Sequence, residues 1–154
     1  MLKNIIGSPI VTEIYEVTAD TKRGSIVTKN LSTGKAVAAD GVGVDVYLVT
    51  ADNQPTGHLS DVEISQYDDS LETIKAGKRA VLYKYPIGAQ FATDQVVATG
   101  LVAGDYAVAG STTNVGKLIE AVTAKVSTFK YLGTYDDAGH TLYRFEVVNP
   151  VTIA

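Results

Sequence analysis

Hydrophobic and polar residues alternate in short runs along this chain, and each run is bounded by glycine, proline or a small polar cluster. Residues 10–17 alternate most cleanly, with Val11, Glu13, Tyr15 and Val17 on one face and Ile10, Thr12, Ile14 and Glu16 on the other. That is the period of a half-buried strand. After a polar turn over 19–23, Gly24-Ser25-Ile26-Val27 predicts a strand, residues 30–34 a turn, and residues 35–38 the return strand. Gly34 stands where a hairpin needs positive φ. Residues 42–49 alternate again and end at a loop over 51–57. Residues 59–67 carry strand alternation and also a Ser60/Glu63 capping pair; we read a strand there, followed by a helical turn within 68–73. Residues 79–85 predict a strand closed by Pro86 and Gly88, and residues 91–97 an extended segment. A hairpin follows over 103–121, turning at 110–114, and a last one joins 129–135 to 141–148 through Asp136-Asp137-Ala138-Gly139.

These elements predict an all-β fold: a small antiparallel barrel or sandwich with short hairpins and at most one or two short helical turns. They divide the chain into an N-terminal arm (1–9), a β-barrel-like domain (10–126) and a C-terminal hairpin (127–154), the last packed on the same domain or forming a small lobe of it. In the arm, Leu2, Ile5 and Ile6 precede Pro9. Such a short apolar segment can add to an exposed sheet edge on another chain, so these three residues are candidates for partner binding. A first strand of the chain's own sheet accounts for them equally well.

One internal echo stands out. Gly24-Ser25-Ile26-Val27 and then Gly34-Lys35-Ala36-Val37-Ala38-Ala39 resemble Gly104-Asp105-Tyr106-Ala107-Val108 and then Gly116-Lys117-Leu118-Ile119-Glu120-Ala121. Two readings fit: the ordinary recurrence of motifs in a hairpin-rich chain, or a shared small-barrel unit.

Composition sharpens this picture by subtraction. The 154 residues, 45% hydrophobic and 19% charged, suit one domain rather than a disordered or coiled-coil chain. The 20 Val, 17 Thr and nine Tyr suit pleated, half-buried surfaces. Without Cys there are no disulfides, thiol nucleophiles or Cys zinc sites, and two His leave little for imidazole catalysis. A net charge of -4 with scattered basic residues gives no basic face for nucleic acid. The opening segment is too short in apolar residues for a secretory signal or a membrane span, so synthesis without export is expected.

Candidate chemistry is sparse. The stretch from Gly110 to Lys117 imitates a phosphate loop but has one residue too many between its glycines, and Leu118 stands where Ser or Thr should bind magnesium. Gly41-Val42-Gly43 leads into a strand pattern rather than a helix. His58 and His140 sit at turns without a second ligand at suitable spacing. Asp68-Asp69 and Asp136-Asp137 lack the alternation that aims successive oxygens at one cation, and no Gly-x-Ser-x-Gly elbow supports a Ser-His-Asp site. Neither a catalytic residue, nor a cofactor, nor a metal is expected, and the chain reads as a non-enzyme. The tyrosines combine apolar area with a hydroxyl, as adhesive surfaces do.

The two Gly-led strands with Gly-Lys returns, over 24–38 and 103–119, resemble the head decoration (capsid cement) proteins of tailed bacteriophages, which are small β-rich proteins with SH3-like or β-tulip barrels. The resemblance covers residues 20–122 and is one of style; tail and head-completion proteins share it. It implies a structural virion protein, made in the host cytoplasm, that binds the major capsid protein on the outer surface of the head, as a homo-oligomer (trimer), without nucleic acid or membrane as partner. It carries over no catalytic residues. A non-catalytic ligand-binding β-module, such as a carbohydrate-binding domain, is the alternative.

Overall fold

The computed structural model describes residues 1–50, 72–122 and 124–154. Its first half contains β1 (Leu2–Ile6), β2 (Val11–Val17), β3 (Thr21–Lys22), β4 (Ile26–Asn30), β5 (Lys35–Ala38), β6 (Tyr47–Thr50), β7 (Thr73–Ile74) and β8 (Arg79–Lys84). Its second half contains β9 (Gln90–Thr93), β10 (Tyr106–Ala109), β11 (Leu118–Glu120), β12 (Val126–Asp137) and β13 (His140–Thr152), with a 3-10 turn at Thr112–Asn114. The protein is all-β, as the alternation predicts.

Five strands close a barrel in the order β2-β5-β4-β6-β8. The pairs of this barrel are antiparallel except the closing one, between β2 and β5, which is parallel. A six-stranded sheet follows, in the order β1-β9-β13-β12-β10-β11. It too returns on itself. Beyond β9, Val96 bridges Leu118 in parallel; the Val97 N–H donates to the Leu118 carbonyl at 2.8 Å and the Leu118 N–H to the Gln95 carbonyl at 2.9 Å.

The two systems share one topology, in which β2, β4, β5, β6 and β8 correspond to β9, β10, β11, β12 and β13. Their registers agree as well: Val27–Ala38, Thr28–Val37 and Lys29–Ala36 match Ala107–Glu120, Val108–Ile119 and Ala109–Leu118, and Val27–Tyr47 matches Ala107–Phe129. The parallel closures correspond too, since the Thr18 N–H donates to the Ala36 carbonyl as the Val97 N–H does to that of Leu118. The echo in the sequence therefore falls on equivalent hairpins of two like units.

The units pack wall to wall. In β4 and β6 the neighbours Ile26 and Val27, and Leu48 and Val49, are all buried, because one residue of each pair faces the first barrel's interior and the other the second unit. Val27, Val49, Val17, Ala36 and Leu82 fill the first interior. Ile26, Leu48 and Ala39 join Phe91, Leu118, Phe129, Tyr131 and Phe145 in a continuous second core. Gly116 is one of the joints, beside the bond from the Ala109 N–H to the Val42 carbonyl at 2.8 Å. The Ile26 N–H donates to the Gly116 carbonyl at 2.8 Å and the Gly116 N–H to the Ala39 carbonyl at 2.9 Å, so a glycine of the second unit is inserted into the end of the β4–β5 ladder.

Several expectations change. The strand expected over 42–49 is reduced to Tyr47–Thr50, because Asp45 takes a positive φ of 52° and Gly43 lies so close that an added Cβ would stand 2.3 Å from the Val126 carbonyl. The division at 126/127 does not coincide with the architecture, since β12 and β13 are central strands of the second sheet, and the units meet near 86–89. Residues 1–9 are no free arm here, because β1 pairs with β9. The strand read at 59–67 and the helical turn read from residue 68 lie, up to residue 71, outside the described residues.

Two glycines with positive φ separate backbone strain from steric contact. At Gly34 (φ 66°) an added Cβ meets nothing within 4 Å, whereas at Gly24 (φ 88°) it would stand 2.3 Å from Thr93 Oγ1 and 2.4 Å from the Met1 carbonyl. We expect Gly34→Ala to cost about 1 kcal/mol, from left-handed strain alone, and Gly24→Ala about 3 kcal/mol or more once overpacking is added. Urea midpoints of the two variants check this; equal losses would contradict it.

Candidate interaction surface

The residues singled out at the N-terminus are distributed by β1 over three environments. Leu2 is buried in the second core, Ile5 is half-buried and Ile6 is 53% exposed. β1 is the open edge of the six-stranded sheet. Two polar anchors hold it: the Lys3 ammonium pairs with Asp137, which holds the Lys3 pKa above its ordinary value, and the Tyr85 hydroxyl donates to Asn4 Oδ1. Burial is the main cause that pushes the Tyr85 phenol up to about 12, with Tyr83 adding to it and Arg23 opposing.

A concave surface opens where the two units meet. It is a groove of about 430 Å³ between the end of β8, the segment before β6, the start of β12 and the end of β13. Its floor is apolar, with Leu48, Tyr85, Phe129 and Val147 buried. Ile10 and Ile87 stand at its rim, 66% and 62% exposed. The charge on the rim is paired, Lys84 Nζ lying 3.1 Å from Asp45. From Ile10 the apolar character continues along the outer face of β2 to Ile14, 63% exposed, which pairs across the ladder with Val81. Isoleucines left in water around an apolar floor mark a surface that gains by being covered.

The rim has a signature in the sequence. Pro9-Ile10 and Pro86-Ile87 are the same dipeptide, each placed just ahead of the first strand of its unit. Proline ends the preceding pairing and leaves the isoleucine outside the barrel.

Other candidate chemistry resolves into structure. The Lys29 ammonium lies 4.0 Å from the centre of the Tyr47 ring and 5.2 Å from that of Tyr15 and pairs with Glu13. Burial works to lower its pKa, but the bonds to Glu13 and Tyr47 outweigh it and the net shift is upward. Asp136 accepts the Gly139 N–H at 3.2 Å, a turn bond, while Asp137 holds Lys3. His140 is exposed at the head of β13, and His58 and Asp68-Asp69 lie outside the described residues. Among the described residues no group of three or more His, Asp or Glu could hold a metal ion, and no helix is long and apolar enough to cross a membrane. Compared with known protein families and with curated proteins, the chain matches none.

Two predictions follow from the seat of β1. Leu2→Ala should cost about 2–3 kcal/mol, as other buried leucines do, and removal of residues 1–8 should lower the melting temperature by more than 10 °C; an unchanged melting temperature would mean that β1 contributes nothing to the sheet. Because the neutral Tyr85 phenol is favoured in the fold, its contribution is complete below the ordinary tyrosine value near 10 and is lost as pH rises through about 12. Urea unfolding at pH 9 and pH 11.5 should show a smaller alkaline loss in Tyr85→Phe than in the parent; an equal loss would contradict the assignment.

Proposed function

We propose that the protein is a structural, non-enzymatic decoration (cement) protein of a tailed-bacteriophage head, which binds the major capsid protein on the outer surface of the assembled shell and stabilises it, as a homo-oligomer. The observation that carries this reading is the apolar groove between two small barrels with Ile10 and Ile87 exposed at its rim. It supports a role in adhesion rather than in bond chemistry. A lattice offers the same partner segment many times, so an oligomer gains avidity from modest sites without a deep pocket. The resemblance of the Gly-Lys hairpins to capsid cement proteins supplies the identity of the lattice.

One observation favours a second reading. A volume of about 430 Å³ lies within the range of roughly 300–1,000 Å³ usual for small-molecule sites, and Tyr83 and Tyr85 line it. A ligand-binding β-module would use those tyrosines.

Mixing the protein with undecorated heads and pelleting them should give saturable binding. Ile10→Asp combined with Ile87→Asp should weaken it at least about tenfold, or ~1.4 kcal/mol, with the melting temperature unchanged because both side chains lie in water. Protein left in the supernatant would overturn the capsid reading, and binding to isolated tails alone would move it to another part of the virion. Reproducible glycan-array hits lost in Tyr83→Ala would favour the ligand-binding module.

A further inference from the structure

The two units are equivalent in topology but not in what covers them, and the difference points to a second copy of this chain. In the first unit the Ala39 N–H donates to the Ile26 carbonyl at 2.9 Å, and the return bond is replaced by Gly116, which accepts from Ile26 and donates to Ala39. The corresponding residues of the second unit are Tyr106 and Ala121. There the Ala121 N–H donates to the Tyr106 carbonyl at 2.8 Å, and no return bond or inserted residue completes the pair among the described residues. The wall beside it is only partly covered. Ile26 and Leu48, buried in the first unit, correspond to Tyr106 and Lys130, both half-buried.

What would complete that end is the counterpart of the Gly116 hairpin, and the chain holds one. The β4–β5 turn ends in Gly34, which has positive φ like Gly116, and an added Cβ at Gly34 would meet nothing within 4 Å. At its tip Leu31 is 84% exposed. Around the open ladder end stand Val122 and Val102, 62% and 66% exposed, at the positions occupied by Asp40 and Lys22 in the first unit. Apolar side chains thus lie unpartnered on both of the surfaces that the internal joint would bring together if it were repeated between chains.

We propose that the chain associates head to tail with its own copies, the β4–β5 turn of one molecule docking on the open β10–β11 ladder end of the next, with Leu31 packed against Val122. The contact is heterologous, so it closes into a ring or continues as a filament according to its rotation. It differs from the internal joint in one respect. The β4–β5 turn is two residues shorter than the Gly110–Gly116 turn, and the Gly34 N–H donates to the Asn30 carbonyl. The docked tip therefore offers the Gly34 carbonyl to the Tyr106 N–H, and the Thr33 hydroxyl is its donor for the Ala121 carbonyl. The inference does not rest on the capsid reading: a protein that self-associates and ignores capsids would sustain the one and sink the other.

The absence of Cys allows a direct test. Leu31→Cys and Val122→Cys, made separately, mixed in equal amounts and oxidised, should give the mixed disulfide in several-fold excess over either homodisulfide. A statistical mixture, or no cross-link, would overturn the proposal. In parallel, sedimentation of the unmodified chain should show species larger than the 16.3 kDa monomer that grow with concentration, and Leu31→Asp and Val122→Asp should each remain monomeric. A parent chain monomeric up to roughly 1 mM, where only a contact weaker than about 4 kcal/mol escapes detection, or association untouched by both Asp variants, would overturn it equally.

Discussion

The two units of this molecule are joined backbone to backbone, by an insertion at Gly116 and by the Ala109 and Thr128 N–H groups, which donate to the Val42 and Gly43 carbonyls. Gly116 enters the end of the β4–β5 ladder, accepting from Ile26 and donating to Ala39, and by doing so makes a wall of the first barrel continuous with the core of the second unit. Glycine suits the place better than any residue with a Cβ. Its φ is 79°, and an added Cβ would lie 3.3 Å from the Ala38 Cβ. Close approaches at Gly43 and Gly24 repeat the constraint where other backbones cross. With the walls in contact, Ile26, Ala39 and Leu48 leave water together with Phe91 and Phe129, and burial on that scale dominates what the hydrogen bonds add.

The same constraint accounts for the candidate surface. Two units welded at one wall leave a cleft at its margin, and the groove ringed by Ile10 and Ile87 is that cleft. The units have also diverged inside. Where the second has Phe91, Ala109 and Phe129, the first has Glu13, Lys29 and Tyr47 at the matching registers, so beside its apolar core it carries a partly buried ion pair against tyrosine rings. A partly buried pair of this kind contributes little net stability unless its hydrogen bonds are complete. Lys29 has both Glu13 and two aromatic faces, and it is satisfied without a ligand.

Local features were legible in the sequence and non-local ones were not. The hairpins at 26–38, 106–120 and 129–148 follow from alternation and from turn residues such as Gly34 and Gly139, whose conformational preferences act within a few positions. Both Ala138 and Gly139 have positive φ in the last turn, as a two-residue hairpin requires. The parallel closure between β2 and β5 has no local signature, because it depends on residues far apart meeting. The segment over 42–49 alternates convincingly yet is mostly not strand, since tertiary contacts at Gly43 and a turn at Asp45 override propensity. Leu2, Ile5 and Ile6 looked available because they are apolar; only the position of β9 decides that Leu2 is core and Ile6 is surface. The Gly-Lys echo carries the duplication, which the matching registers of the two hairpins establish.

The joint at Gly116 predicts that the two units open together. Native-state hydrogen exchange reads this directly, because the Ile26 and Gly116 amides belong to the joint while the Val49 and Tyr131 amides belong to the separate ladders. All four should exchange with one opening free energy, equal to that of global unfolding. Ile26 and Gly116 amides that exchange through a much cheaper opening, with Val49 and Tyr131 still protected, would show two units folding independently and would contradict it.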